Sequence, residues 1–249
     1  MFHWLKNEKH FPKLFWQAKG SDVAFGAVGK RRELLSIPEA PDTLLFGGMT
    51  FSLEKRDPIW NDFPPCYFFE PLEEKTENAI VSLPFKKPTL LSRADSPSFE
   101  EWEKSIQASL SDPKIEKVVL ARRTTLTFKE TLCPWEILSA LRACARNATL
   151  FGLQITPDST FIGATPEKLY ARQQKHLLSE AIAGTRLKGG EAFSEKEQRE
   201  FDFVKTSIRA ALAPLSLAVR SEPQDRIIQT ATLEHFYNLL SADLKDHVS

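Results

Sequence analysis

Lys117 stands in the run IEKVVLARR, from Ile115 to Arg123, where a period of two puts Ile115, Lys117, Val119 and Ala121 on one face and Glu116, Val118 and Leu120 on the other. Such a run reads as an interior strand with both faces covered. An ammonium among aliphatic side chains loses hydration, so its pKa falls and the neutral amine becomes available as a general base. The competing reading is a lysine near the strand start that carries its charge out to water.

Four further stretches hold residues able to do chemistry. In GATPEKL, Pro166 stops a strand and leaves Glu167 at its end; the carboxylate is either solvated or partly buried, in which case a raised pKa keeps it protonated as a general acid. In AIAGTR, Gly184 has no Cβ and admits a ligand to the main chain, while Thr185 offers a hydroxyl and a backbone N–H to an anion. Glu200 lies on the edge of a helical apolar stripe, either as a favourable early-helix charge or as a ligand for a hard cation. His235, after the apolar run that begins at Arg226, is either core or site.

The elements that must position these residues are punctuated by turn signals. Residues 1–95 read as a β-rich meander, with short strands at Asp22–Val28 and Thr43–Phe46, an aromatic core cluster at Tyr67–Phe69 and a further strand at Asn78–Leu83. Ser98 with Glu101, and Ser194 with Glu197, make capping-box patterns that open helices, the second running to about Ala213 with Phe201, Val204, Ile208, Ala211 and Leu212 inward. Pro134 opens a third helix, whose stripe of Ile137, Leu138, Leu141, Cys144 and Ala145 makes Cys144 core rather than a nucleophile. Thr149–Thr156 and Thr160–Ala164 read as a hairpin across the Pro157-Asp158 turn, and His176–Gly190 as a strand-like run.

Composition narrows the classes of partner. The 249 residues carry 33 basic and 33 acidic side chains, so no global field draws nucleic acid or an anionic membrane. No run approaches the roughly 18 apolar residues of a membrane span, and Lys6, Glu8, Lys9 and Lys13 interrupt the aromatic N-terminus where a signal peptide needs an apolar core. Cys66, Cys133 and Cys144 show no paired spacing, which points to a reducing, cytoplasmic setting.

KVVLAR at Lys117–Arg122, GATPEKL at Gly163–Leu169, AIAGTR at Ala181–Arg186, SEKEQREFDFV at Ser194–Val204 and TLEHF at Thr232–Phe236 follow one another in the order of the motifs of chorismate-utilising enzymes. The chain resembles the isochorismate synthases of that family over nearly its whole length, with added similarity near Met49–Phe63. The resemblance implies an α/β (α+β) chorismate-binding fold of layered, mainly antiparallel sheets with outer helices. Residues 1–95 would form its N-terminal β-rich part and 96–249 the first portion of the catalytic region, in one integrated domain. It implies a Mg²⁺-dependent conversion of chorismate to isochorismate, feeding menaquinone or siderophore biosynthesis.

By the same resemblance Lys117 matches the base that activates water for attack at C2, and Glu167 the acid that protonates the departing C4 hydroxyl. Glu200 matches a glutamate holding Mg²⁺, and Gly184, Thr185 and His235 match residues of the substrate pocket. Anthranilate synthases are similar but usually carry Gln at the position of Lys117, and aminodeoxychorismate synthases usually carry Lys at that of Ala183. Salicylate synthases share the Lys117 pattern and remain an alternative.

The likeness has departures. Phe201 stands where the family has His after the metal-binding Glu, and Phe236, Tyr237 and Asn238 replace the usual residues after His235. The family's later motifs, with a carboxylate-binding Arg and a second metal-binding Glu, have no counterpart before Ser249. The expectation that follows is a chain truncated at the C-terminus: a catalytically inactive remnant or interaction module, or a partner of a separately encoded C-terminal segment.

Overall fold

Alternating apolar and polar runs broken by Pro and Gly build antiparallel hairpins here, because side chains of period two can bury one sheet face and wet the other. The computed structural model describes residues 1–249 apart from 39–41, 52–56, 116, 120, 146, 247 and 249. Two units are present, the first made of Met1–Pro84 with Pro134–Ser249 and the second of Phe85–Cys133.

In the first unit, helix α1 (Phe2–Asn7) precedes β1 (Lys13–Gln17), β2 (Ala24–Leu34), β3 (Phe46–Met49) and β4 (Cys66–Glu77). Beyond the second unit the chain returns through α3 (Pro134–Cys144), β7 (Thr149–Gln154) and β8 (Thr160–Thr165). These strands make a six-stranded antiparallel sheet in the order β3-β4-β2-β1-β7-β8. One face carries Leu14, Ala27, Tyr67 and Phe69, with Phe25, Phe46, Leu153 and Ile155 packed against them. On the other, Phe2 stacks on Phe15 at 4.7 Å, and α3 sits so close over Gly152 that an added Cβ would meet Leu138 Cδ2 at 2.8 Å.

The second sheet holds β9 (Ala171–Gln173), β10 (His176–Leu187), β11 (Ser216–Ser221), β12 (Arg226–Gln229) and β13 (Leu233–Leu244), in the order β11-β13-β10-β9 with β12 also pairing β13. Helix α4 (Glu195–Leu212) covers one face, driving Phe201 against Ala181, Ala183 and Leu240. The fully buried Phe201 and Leu240 side chains each contribute roughly 1.5–3 kcal/mol. Ser194 and Glu197 cap α4 reciprocally, as their spacing predicts.

The second unit consists of a hairpin of β5 (Leu90–Ser96) and β6 (Arg123–Phe128), with α2 (Phe99–Leu110) between them in sequence and a capping box at Ser98 and Glu101.

Several expectations are corrected. The strand at 115–123 does not form: 117–119 and 121–122 lie outside any strand, Val119 is 81% exposed, and β6 starts only at Arg123. Period two marks a strand only where neighbours pair with it, and β5 reaches no further than Arg123. Glu116 and Leu120 of that pattern lie outside the described residues. Asn78–Leu83 is irregular; it is anchored by Ile80 and Leu83, which are buried, and by the Leu83 N–H on Ser139 Oγ at 2.8 Å. Cys144 and Ala211 are exposed rather than core, since α3 turns Trp135, Leu138 and Ser139 inward and α4 turns Phe201 and Leu212.

Candidate functional site

A β-bulge shapes the face opposite α4. Along β10, Ala181 and Ala183 point to the helix, and strict alternation would send residue 185 the same way. Between Ala183 and Thr185 the register with β13 shifts: Ala183 pairs with Phe236 and Thr185 with the next residue, His235. Gly184 absorbs the extra residue with φ +64°, a left-handed conformation that suits glycine. Thr185 is thereby returned to the face of Glu180 and Ile182, opposite their partners His235, Leu239 and Tyr237.

The room that Gly184 leaves is taken by protein. A Cβ there would lie 2.8 Å from the Glu197 carbonyl oxygen and 2.9 Å from Phe236 Cδ2, so what glycine admits is the start of α4 rather than open space for a ligand. Thr185 Oγ1 lies 3.1 Å from His235 Nδ1. Half-burial lowers the His235 pKa and favours the neutral ring, which accepts from the hydroxyl or donates to it according to its tautomer.

Glu167 follows β8, with the sequence Thr165-Pro166-Glu167, and is exposed. Its flanking peptides are held firmly. The Lys168 N–H donates to Glu180 Oε2 at 2.8 Å, and Lys19 Nζ donates to the Pro166 carbonyl at 2.8 Å. Glu180 is 7% exposed and pairs with Lys19 at 2.8 Å, while the Tyr237 hydroxyl donates to its Oε1 at 3.3 Å. Burial, and after it the charge of Glu180, pushes the Tyr237 phenol up to about 12, so it stays a neutral donor. Nothing in the spacing of Lys19 or Glu180 singles them out, because each makes sense only through the other.

The structure therefore gathers Gly184, Thr185 and His235 at one point of the β10–β13 ladder, and fixes the Glu167 turn to the same strand at Glu180. Glu200 is carried by α4, which lies across the other face of that ladder, and is half-buried. Lys117 is half-buried and belongs to the second unit. Among the described residues no group of three or more His, Cys, Asp or Glu is arranged to hold a metal ion. No helix among them is long and apolar enough to cross a membrane.

Two of the departures from the family pattern, Phe201 and Phe236, form one packing feature. Phe201 is fully buried and stacks on Phe236 at 5.4 Å, and Phe193 joins them 4.2 Å from Phe236.

Comparison with known proteins agrees with this architecture. The chain is 30% identical over 173 residues to the chloroplastic isochorismate synthase of Catharanthus roseus, covering 63% of this chain and 30% of that protein. It is 24% identical over 216 residues to the isochorismate synthase MenF of Escherichia coli, covering 73% of this chain and 50% of the relative. The chain thus spans half or less of the length of these two relatives. The solved structure of the Escherichia coli menaquinone-specific enzyme MenF superposes with a TM-score of 0.79 at 19% identity, over 98% of this chain and 67% of that one, which establishes the shared fold. The sequence profile of the family described as chorismate binding enzyme matches residues 70–249, and to that family this chain belongs.

Proposed function

We propose that the protein carrying this chain isomerises chorismate to isochorismate. The observation that carries the reading is the polar face of β10 and β13, where the Thr185–His235 pair stands on the strand to which the Glu167 turn is bonded. Family membership supports chorismate as the ligand.

In the reaction, the oxygen of water bonds to C2 of the ring while its proton passes to the Lys117 amine. The ring double bonds shift, the C4–O bond breaks, and the departing hydroxyl takes the Glu167 proton and leaves as water. A general acid needs its proton at neutral pH. Bound chorismate brings two carboxylates to the ring on which Glu167 would act. Thr185 and His235 offer neutral hydrogen-bond partners to the substrate, and Gly184 sets their direction through the bulge. Mg²⁺, held in part by Glu200, would neutralise a substrate carboxylate. Three free cysteines support a reducing, cytoplasmic setting.

The test is product analysis by chromatography for Lys117→Gln and Glu167→Gln in the protein supplied with chorismate and Mg²⁺. Each change is expected to slow isochorismate formation by about 10² to 10⁴. Wild-type rates in either variant overturn the role of that residue, and salicylate as the sole product of the unaltered protein overturns the reaction.

A further inference from the structure

We propose that Lys19 and Glu180 act together as a positioning clamp for the turn that carries Glu167, an inference resting on the reading of Glu167 as the acid. Lys19 follows β1 of the six-stranded sheet and Glu180 lies in β10 of the other, so the pair joins the two sheets of the first unit. Each partner also bonds to a peptide next to Glu167: Lys19 Nζ to the Pro166 carbonyl, and Glu180 Oε2 to the Lys168 N–H, both at 2.8 Å. One charge grips the turn before Glu167 and the other after it.

Stability alone does not account for such a pair. Burying both charges costs desolvation that their attraction barely offsets, and a well-packed apolar pair is often as stable or more so. Lys19 is 20% and Glu180 8% exposed at the side chain, so the pair meets that cost. What an apolar pair cannot supply is the donor for the Pro166 carbonyl and the acceptor for the Lys168 N–H. Without them the two peptide planes keep only the Thr165 hydroxyl, 3.4 Å from the Glu167 N–H and 3.2 Å from its carbonyl oxygen, and the direction of the Glu167 side chain loosens. A misplacement of about 1 Å is enough to cost on the order of 10² in rate.

The double variant Lys19→Met with Glu180→Leu tests this without stranding a buried charge. Its thermal midpoint is expected to stay close to that of the unaltered chain, the relieved desolvation set against the partners taken from the Tyr237 hydroxyl and the two peptides, while hydrogen exchange at the Lys168 amide speeds up at least tenfold. kcat for chorismate should fall on the order of 10², with KM within about twofold. A charge-swapped variant, Lys19→Glu with Glu180→Lys, keeps an ion pair but reverses donor and acceptor. It should leave the exchange fast and kcat low, whereas recovery of both would make the pair a plain structural bridge and overturn the clamp. Unchanged Lys168 exchange in the double apolar variant overturns it as well, and so does fast exchange with an unaltered kcat. The exchange measurement needs no turnover. If Glu167→Gln is fully active the acid assignment fails on its own, and exchange still reports whether the clamp holds the turn.

Discussion

Thr185 Oγ1 and His235 Nδ1 face each other at 3.1 Å across β10 and β13, and they do so only because the chain slips by one residue at Gly184. The contact couples a titrating ring to a bulge. Burial lowers the His235 pKa below its ordinary 6.5, so the unfolded chain binds a proton there more readily than the folded one. The stabilisation from the neutral ring is fully present above about pH 6.5 and is lost as pH falls through the folded-state value. Urea midpoints at about pH 5 and about pH 7.5 should therefore differ less in His235→Gln than in the unaltered chain. An equal pH dependence in the two would remove His235 from the balance.

Gly184→Ala asks for a conformation and a space that are both taken. The φ of +64° costs a residue with a Cβ about 1–3 kcal/mol. The new methyl would also meet the Glu197 carbonyl oxygen at 2.8 Å, and backbone in a capped helix does not yield as a side chain does. A loss of about 2–4 kcal/mol in chemical denaturation is expected. Gly189 has a similar φ of +72° but nothing within 4 Å of its added Cβ. Gly189→Ala should cost no more than the conformational part, and equal losses at the two glycines would show that α4 is not pressed against the bulge.

Much of this frame is legible in the order of residue types. Ser98 and Ser194 announce their helices because a capping box is a local device, complete within four residues. The Thr149 and Thr160 strands are legible for the same reason, with a Pro-Asp turn between two alternating runs. Lys117 misleads because alternation records only which faces a strand would show, while its existence depends on partners elsewhere. Thr185 is plainly polar and next to glycine, yet the slip that turns it toward His235 leaves no local mark. Lys19 and Glu180 are invisible for a stronger reason. Each is an ordinary charged residue in its own stretch, and the topology alone brings them to either side of Glu167.

Phe201 and Phe236 explain each other. Restoring histidine at position 201 would place an imidazole in a site that is 0% exposed, between Phe236 and the alanines of β10. Phe201→His is expected to destabilise by about 2–4 kcal/mol, from lost apolar burial and an imidazole lacking hydrogen-bond partners. Phe201→Leu keeps most of the volume and should cost about 1–1.5 kcal/mol. Denaturation midpoints order the two variants, and a histidine variant as stable as the leucine one would mean that the cavity holds a polar partner.

Glu200 is where two readings predict different titrations. As a helix charge it would act through the dipole of α4, but that effect is confined to the first turn, which Glu195 and Glu197 already occupy. Glu200 lies a turn further on and is half-buried, where a carboxylate gains little from the dipole and loses part of its hydration. On the reading of Glu200 as a ligand, a hard cation offsets part of that loss. Mg²⁺ prefers charged oxygen and keeps several waters, so one protein carboxylate with substrate oxygens is a workable set, and an amide in its place donates less and carries no charge. Glu200→Gln should therefore raise the Mg²⁺ concentration for half-maximal turnover by at least about tenfold, by analogy with changes around other metal sites. Its thermal midpoint without Mg²⁺ should be unchanged, since the capping box of α4 rests on Ser194 and Glu197. Calorimetric titration of Mg²⁺ in the presence of chorismate provides the second readout. Superimposable curves for the unaltered protein and the Glu200→Gln variant would leave the residue a surface charge and move the metal to other donors.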